Sequence, residues 1–122
     1  MYQFAFERLD VWQDARKLVK EIYIITNRFP NEERFGLTGQ IRRSALSVCA
    51  NLAEGTTRKS YKEQAHFTMI AYGSLIELLN HLILAEDLTF INADELIRLR
   101  GMLQPLSVRI NNLRNSQMTK LE

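Results

Sequence analysis

The segment "AHFTMIAYGSLIELLNHLILA", from Ala65 to Ala85, contains one formally charged residue, Glu77, and places apolar groups at every angle around a helix. A helix apolar on all sides has to be covered on all sides. A membrane span needs about 20 apolar residues and so has the right length. His66, Tyr72, Ser74, Glu77, Asn80 and His81 would be costly in lipid, however, and no membrane partner is expected. The remaining solution is a central position in a helical assembly. Because each helix of a four-helix monomer keeps one solvent face, subunit contacts are expected to cover the face left over, which predicts a homo-oligomer.

Periodicity supplies the other helices. Val11, Ala15, Leu18, Ile22 and Ile25 recur at steps of four and three, the stripe of an amphipathic helix over about residues 10–28, with Asp10 and Gln13 as a capping box. Pro30 disfavours helical geometry at Phe29 and ends it. Leu37, Ile41, Ala45, Val48 and Leu52 mark a second helix over 38–54, with Gly55 as its C-terminal cap. Ser60 with Glu63 opens a third, 60–87, and Asn92 with Glu95 a fourth, 92–115, striped by Leu96, Leu99, Leu103, Leu106, Ile110 and Leu113. Pro105 inside that stripe predicts a kink or break. The final "SQMTKLE" is expected to fray. No strand or hairpin pattern competes. The expectation is an all-α, antiparallel, up-down-up-down four-helix bundle, one domain over residues 1–122.

Composition narrows the chemistry. The single cysteine, Cys49, excludes an intramolecular disulfide framework and fits a cytoplasmic location, as does an N-terminal "MYQFAFERLDVW" without a signal-peptide pattern. Cys49 lies among small and apolar residues with no activating base nearby in sequence. Di-iron bundles need two Glu-x-x-His pairs. Glu63 and His66 make one, but Glu77 and His81 are four apart and no further histidine exists. No metal, no cofactor and no enzymatic activity are therefore expected.

The stretch "RRSALSVCANLAEGTTRKS", residues 42–60, carries small residues (Ser44, Ala45, Ser47, Ala50, Ala53) that allow close helix approach, as Gly73 and Ser74 would on the third helix. Beside them runs a polar row of Gln40, Arg43 or Ser44, Ser47, Asn51 and Glu54. This row is either a solvated face or a hydrogen-bonded cluster of Ser47, Asn51, Glu54, Gly55 and Arg58, with Arg58 paired to a carboxylate. The loop lacks the spacing of a Walker phosphate loop, yet Arg58 and Lys59 next to a helix N-terminus supply phosphate donors. Net charge is only +2, but five basic residues and no acidic one lie between Arg98 and Lys120: Arg98, Arg100, Arg109, Arg114 and Lys120. The first helix adds Arg16, Lys17 and Lys20. A cyclic oligomer would repeat each patch into a multivalent surface for phosphate backbones.

The run from "FERLDVWQDARKLVKE" through "FPNEERFGLTGQIRRS" to the Ser47, Asn51, Ala53, Glu54, Gly55, Arg58 series resembles the four-helix-bundle family named for proteins encoded in intervening sequences of bacterial 23S rRNA genes. It is also similar to the accessory variability proteins of diversity-generating retroelements. The resemblance implies a ring, pentameric in the family's members, with RNA or DNA and a reverse transcriptase or other protein as partners. Arg42 and Arg43 match the family's paired arginines. The candidate nucleic-acid residues are thus Arg16, Lys17, Lys20, Arg42, Arg43, Arg58, Lys59, Arg98, Arg100, Arg109 and Arg114. The alternative function is a protein-interaction scaffold with no nucleic-acid role.

Overall fold

The computed structural model describes residues 1–121 and is all-α, with four long helices and no strand among the described residues. These are α1 (Asp10–Thr26), α2 (Leu37–Gly55), α3 (Tyr61–Asp87) and α4 (Ala93–Thr119). Each helix packs against its chain neighbours, and α4 also touches α1, which closes the arrangement around one apolar core. The predicted stripes are what it buries: Leu18 and Ile22 of α1, Ile41 and Val48 of α2, Leu75, Leu78 and Leu82 of α3, Leu99 and Ile110 of α4.

The helix ends depart from the sequence expectation in ways that have local causes. Asp10 does not cap α1, because a 3-10 turn (Ala5–Arg8) precedes it and Leu9 holds the cap position. Gln13 Nε2 donates instead to the Glu7 carbonyl at 2.9 Å, tying that turn to the helix. At the far end α1 stops at Thr26, whose hydroxyl donates to the Ile22 carbonyl at 2.7 Å. Phe29 is then buried against Phe90, their ring centroids 5.4 Å apart. Ser60 accepts from the Glu63 backbone N–H, and Asn92 and Glu95 make the full reciprocal capping box, at 2.8 and 3.0 Å.

Gly55 is not a left-handed cap. It is the last residue of α2 and buried, and a Cβ there would lie 3.2 Å from Phe67 Cβ on α3. Its missing side chain brings α2 and α3 together. The left-handed position lies elsewhere: Thr89, with φ 64°, follows α3. Around it Phe90 N–H donates to the Ala85 carbonyl and Thr89 N–H to that of Glu86, both at 2.9 Å, the two bonds of a Schellman motif built on a threonine.

Helix α4 runs unbroken through Pro105, whose ring is exposed, and continues to Thr119. The expected fraying after residue 115 is therefore corrected up to Thr119; Glu122 lies outside the described residues. Gln117 is the reason, since it is 8 % exposed and accepts a hydrogen bond from Thr68 of α3 at 2.8 Å. That polar contact pins the last turns of α4 where no apolar residue marks the need.

Helix α3 is long and apolar enough to cross a membrane by length and composition alone. Eight of its residues are buried against α2 and α4. Its outer face keeps Met69, Ile70, Ile76 and Leu84 exposed around Gly73, which has nothing within 4 Å of its Cβ position.

Candidate nucleic-acid interface

The predicted polar cluster is partly assembled. Ser47 and Ser74 hydroxyls lie 2.7 Å apart across α2 and α3, and Asn51 Nδ2 donates to the Ser47 carbonyl and hydroxyl at 2.9 and 3.0 Å. Glu54 is exposed and stands outside this network. Arg58 does not pair with a carboxylate among the described residues; its guanidinium carbon sits 4.5 Å from the centroid of the Phe67 ring. The flat guanidinium covers an aromatic face and keeps its outer N–H donors for other partners.

The candidate cations divide by their surroundings. Arg98 and Arg109 of α4 pair with Glu21 and Asp14 of α1, the first at 2.9 Å. Arg28 pairs with Glu95 on the same seam. Arg43 reaches Glu77 at 3.4 Å, and Glu77 also lies 3.4 Å from His81 Nε2. Arg42 is held by Thr26 and Asn27 at 2.9 and 3.3 Å and lies 4.6 Å from the centroid of the Tyr23 ring. These arginines join one helix to another. Arg16 packs over Trp12, while Lys17 and Lys20 sit on the outer surface of α1 with no carboxylate at ion-pair distance among the described residues. Arg100 borders an apolar groove between α3 and α4, without such a partner.

The remaining cations gather at one end, where α2 finishes, α3 begins and α4 finishes. The Thr68–Gln117 bond joins the last two, and Lys120 Nζ lies 5.1 Å from the centroid of the Tyr61 ring, over the first turn of α3. Arg58, Lys59, Lys62, Arg114 and Lys120 all belong to this end. None has a carboxylate within ion-pair distance among the described residues, and the buried Nε of Arg114 lacks any hydrogen-bond partner there. Lys62 and Lys120 were not among the candidates. Lys62 lies in the first turn of α3 and was readable along the chain, whereas the approach of Lys120 to Tyr61 needed the tertiary placement of α4.

Among the described residues, no group of three or more His, Cys, Asp or Glu side chains could hold a metal ion. Burial pushes the Cys49 thiol up to about 11 against the opposing pull of Arg16, so it stays protonated at neutral pH and is a poor nucleophile.

A family profile described as 23S rRNA-intervening sequence protein matches residues 7–112. The chain belongs to that family. A crystal structure of a protein with unknown function from the S23 ribosomal protein family, from Bacteroides thetaiotaomicron VPI-5482, matches with a TM-score of 0.79 and 19 % identity over 85 % of this chain and 97 % of that one. At that identity the likeness shows the shared four-helix fold. No curated protein matches the chain. The intervening-sequence family match ends at residue 112, before Arg114, Gln117 and Lys120 complete the basic end.

Proposed function

We propose that this intervening-sequence family protein is a non-enzymatic, cytoplasmic, antiparallel four-helix bundle that assembles into a ring and binds nucleic acid through backbone phosphates, as an accessory to an RNA- or DNA-processing partner. The convergence at one end of cations without a carboxylate partner among the described residues carries the reading. Paired arginines on the α1–α4 seam have their charge neutralised locally, whereas Arg58, Lys59, Lys62, Arg114 and Lys120 are left to neutralise phosphates. The N-terminus of α3 adds backbone N–H donors and the positive end of a helix dipole.

Antiparallel order is supported by the pairs Arg28 with Glu95, Glu21 with Arg98 and Asp14 with Arg109, in which one number falls as the other rises. Self-association is supported by the exposed row of Met69, Ile70, Ile76 and Leu84. A ring of the pentameric kind the family resemblance implies repeats the basic end once per subunit, and multivalency raises the avidity of a weak single site. The relation to retroelement accessory proteins extends the same reading, with a reverse transcriptase as the partner. The exposed α3 row also favours the second reading, a protein-interaction scaffold without a nucleic-acid role.

Fluorescence anisotropy of a labelled structured RNA and a matching DNA duplex, across about 50 to 200 mM salt, separates the two. Binding that weakens steeply with salt supports phosphate neutralisation. Arg58→Ala and Arg114→Ala are each expected to lower the salt slope by about one and weaken binding without changing oligomer mass. No binding at the lowest salt leaves the scaffold reading.

A further inference from the structure

The basic end contains a recess of about 270 Å³ between the turn that precedes α1, the end of α2, the start of α3 and the last turns of α4. Leu9, Leu52 and Leu113 give it apolar walls, and Gln64, Thr68 and Gln117 give it a polar edge. Gln117 is more than nine-tenths buried. Its Oε1 is used by Thr68 at 2.8 Å, which leaves its amide nitrogen with no hydrogen-bond partner among the described residues. An amide donor on the edge of a recess is available to an acceptor that enters it. Gln64, on the same edge, donates to the Arg58 carbonyl at 2.9 Å and so fixes the basic turn at the mouth.

We infer that this recess receives one unpaired nucleobase, while the adjoining phosphate is held by Arg58, Lys59 and the backbone N–H groups that open α3. The phosphate half rests on the nucleic-acid reading above; the base half rests on the recess. A nucleobase has two apolar faces and a polar rim, which is the distribution the recess offers. Leucine side chains cover the faces, and a carbonyl oxygen or ring nitrogen on the rim accepts from the Gln117 amide. An acyl chain would fill the same space and leave that donor unpaired. A paired base inside a duplex exposes neither face, so the pocket selects strand ends, bulges and loops over blunt duplex.

The test compares a labelled hairpin RNA bearing an unpaired 3′ tail with a blunt hairpin of equal phosphate count, at constant low salt. The parent protein should bind the tailed form about tenfold more tightly. Gln117→Leu and Gln117→Glu should bring that ratio close to one. Both should remain folded, since Thr68 Oγ1 also reaches the Gln64 carbonyl at 3.0 Å and the glutamate keeps an acceptor for it; thermal melts check this. Equal binding of both hairpins by the parent, or an unchanged ratio in the two variants, overturns the pocket. If neither hairpin binds, the phosphate reading has failed, and a titration with GMP and UMP decides the pocket separately. Movement of the Gln117 side-chain amide signals in a two-dimensional nitrogen–proton NMR spectrum supports it, and unmoved signals overturn it.

Discussion

The α2–α3 seam and the α1–α4 seam hold the same four helices together by opposite means. Between α2 and α3 the contact is close and mostly uncharged, with one exposed pair, Arg43 with Glu77, at its edge. Gly55 admits Phe67, and Ser47, Ser74 and Asn51 share a short hydrogen-bonded chain. Between α1 and α4 contact is sparser, and three arginine–carboxylate pairs cross it at the surface. Close packing tolerates no added volume, whereas exposed ion pairs yield to salt and to truncation. The difference teaches where charge is structural. Cations on the α1–α4 seam are occupied, and those at the basic end, next to the tight seam, have no carboxylate partner among the described residues.

The tight seam should break most readily. Ser74→Leu inserts three carbons beside Ser47 and removes their 2.7 Å contact, and about 3 kcal/mol of destabilisation is expected, or a melting temperature lower by about 10 °C. A loss below about 1 kcal/mol would show that α2 and α3 can separate freely. Glycine pairs sharpen the point. Gly101→Ala on the outer face of α4 meets nothing within 4 Å and should gain about 1 kcal/mol from helix propensity. Gly55→Ala, at the last residue of α2, has a smaller propensity gain and a 3.2 Å contact with Phe67 Cβ, so its melting temperature should fall below that of Gly101→Ala. Equal values for the two would mean that Gly55 does not set the approach of α2 to α3.

Much of the fold was legible because burial and periodicity are the same fact seen twice: the stripe Val11 to Ile25 becomes core throughout, and of the stripe Leu96 to Leu113 only the last member is partly buried. What escaped detection depends on contacts that no local pattern encodes. Gly55 has the spacing of a cap but serves as a gap for Phe67. Thr89 adopts the left-handed position where a glycine would have announced it. Gln117 looks like part of a polar tail until Thr68, on another helix, gives it a partner. For the candidate interface, sequence supplied the cations but not their partners. Arg98 and Arg58 look alike along the chain, and only the fold sets one against Glu21 and the other over Phe67.

Thr89 offers a test of middle size at the end of α3. A β-branched residue at φ 64° is strained, so Thr89→Gly should stabilise the protein by about 1 kcal/mol in chemical denaturation, provided the Schellman bonds to Ala85 and Glu86 are what hold that turn. No gain would indicate that the Thr89 hydroxyl, 2.6 Å from the Leu88 carbonyl, offsets the strain.

On the looser seam the effects are smaller and depend on conditions. Arg98→Ala should cost no more than about 0.5 kcal/mol, because its side chain is half exposed and the pair is screened. The loss should shrink further in high salt, while the loss in Ser74→Leu should persist. An Arg98→Ala cost that is unchanged in high salt would mean packing of its stem, not charge, ties α4 to α1.

Glu95 gives the finest distinction, because two causes act on one carboxylate. Its folded pKa lies below the ordinary 4.5, first through the Asn92 backbone N–H that it accepts in the capping box and then through Arg28. A depressed carboxylate pKa contributes stability that is fully present above the unfolded value and is lost as pH falls through the folded one. Stability should therefore be flat near neutrality with respect to Glu95 and decline below about pH 4.5, and Glu95→Gln should flatten that acid limb. Arg28→Ala should flatten it less, since the backbone bond remains. If the arginine variant instead removes as much of the acid dependence as Glu95→Gln, the ion pair outweighs the cap, and the α1–α4 seam draws more on charge than the exposure of Arg28 suggests.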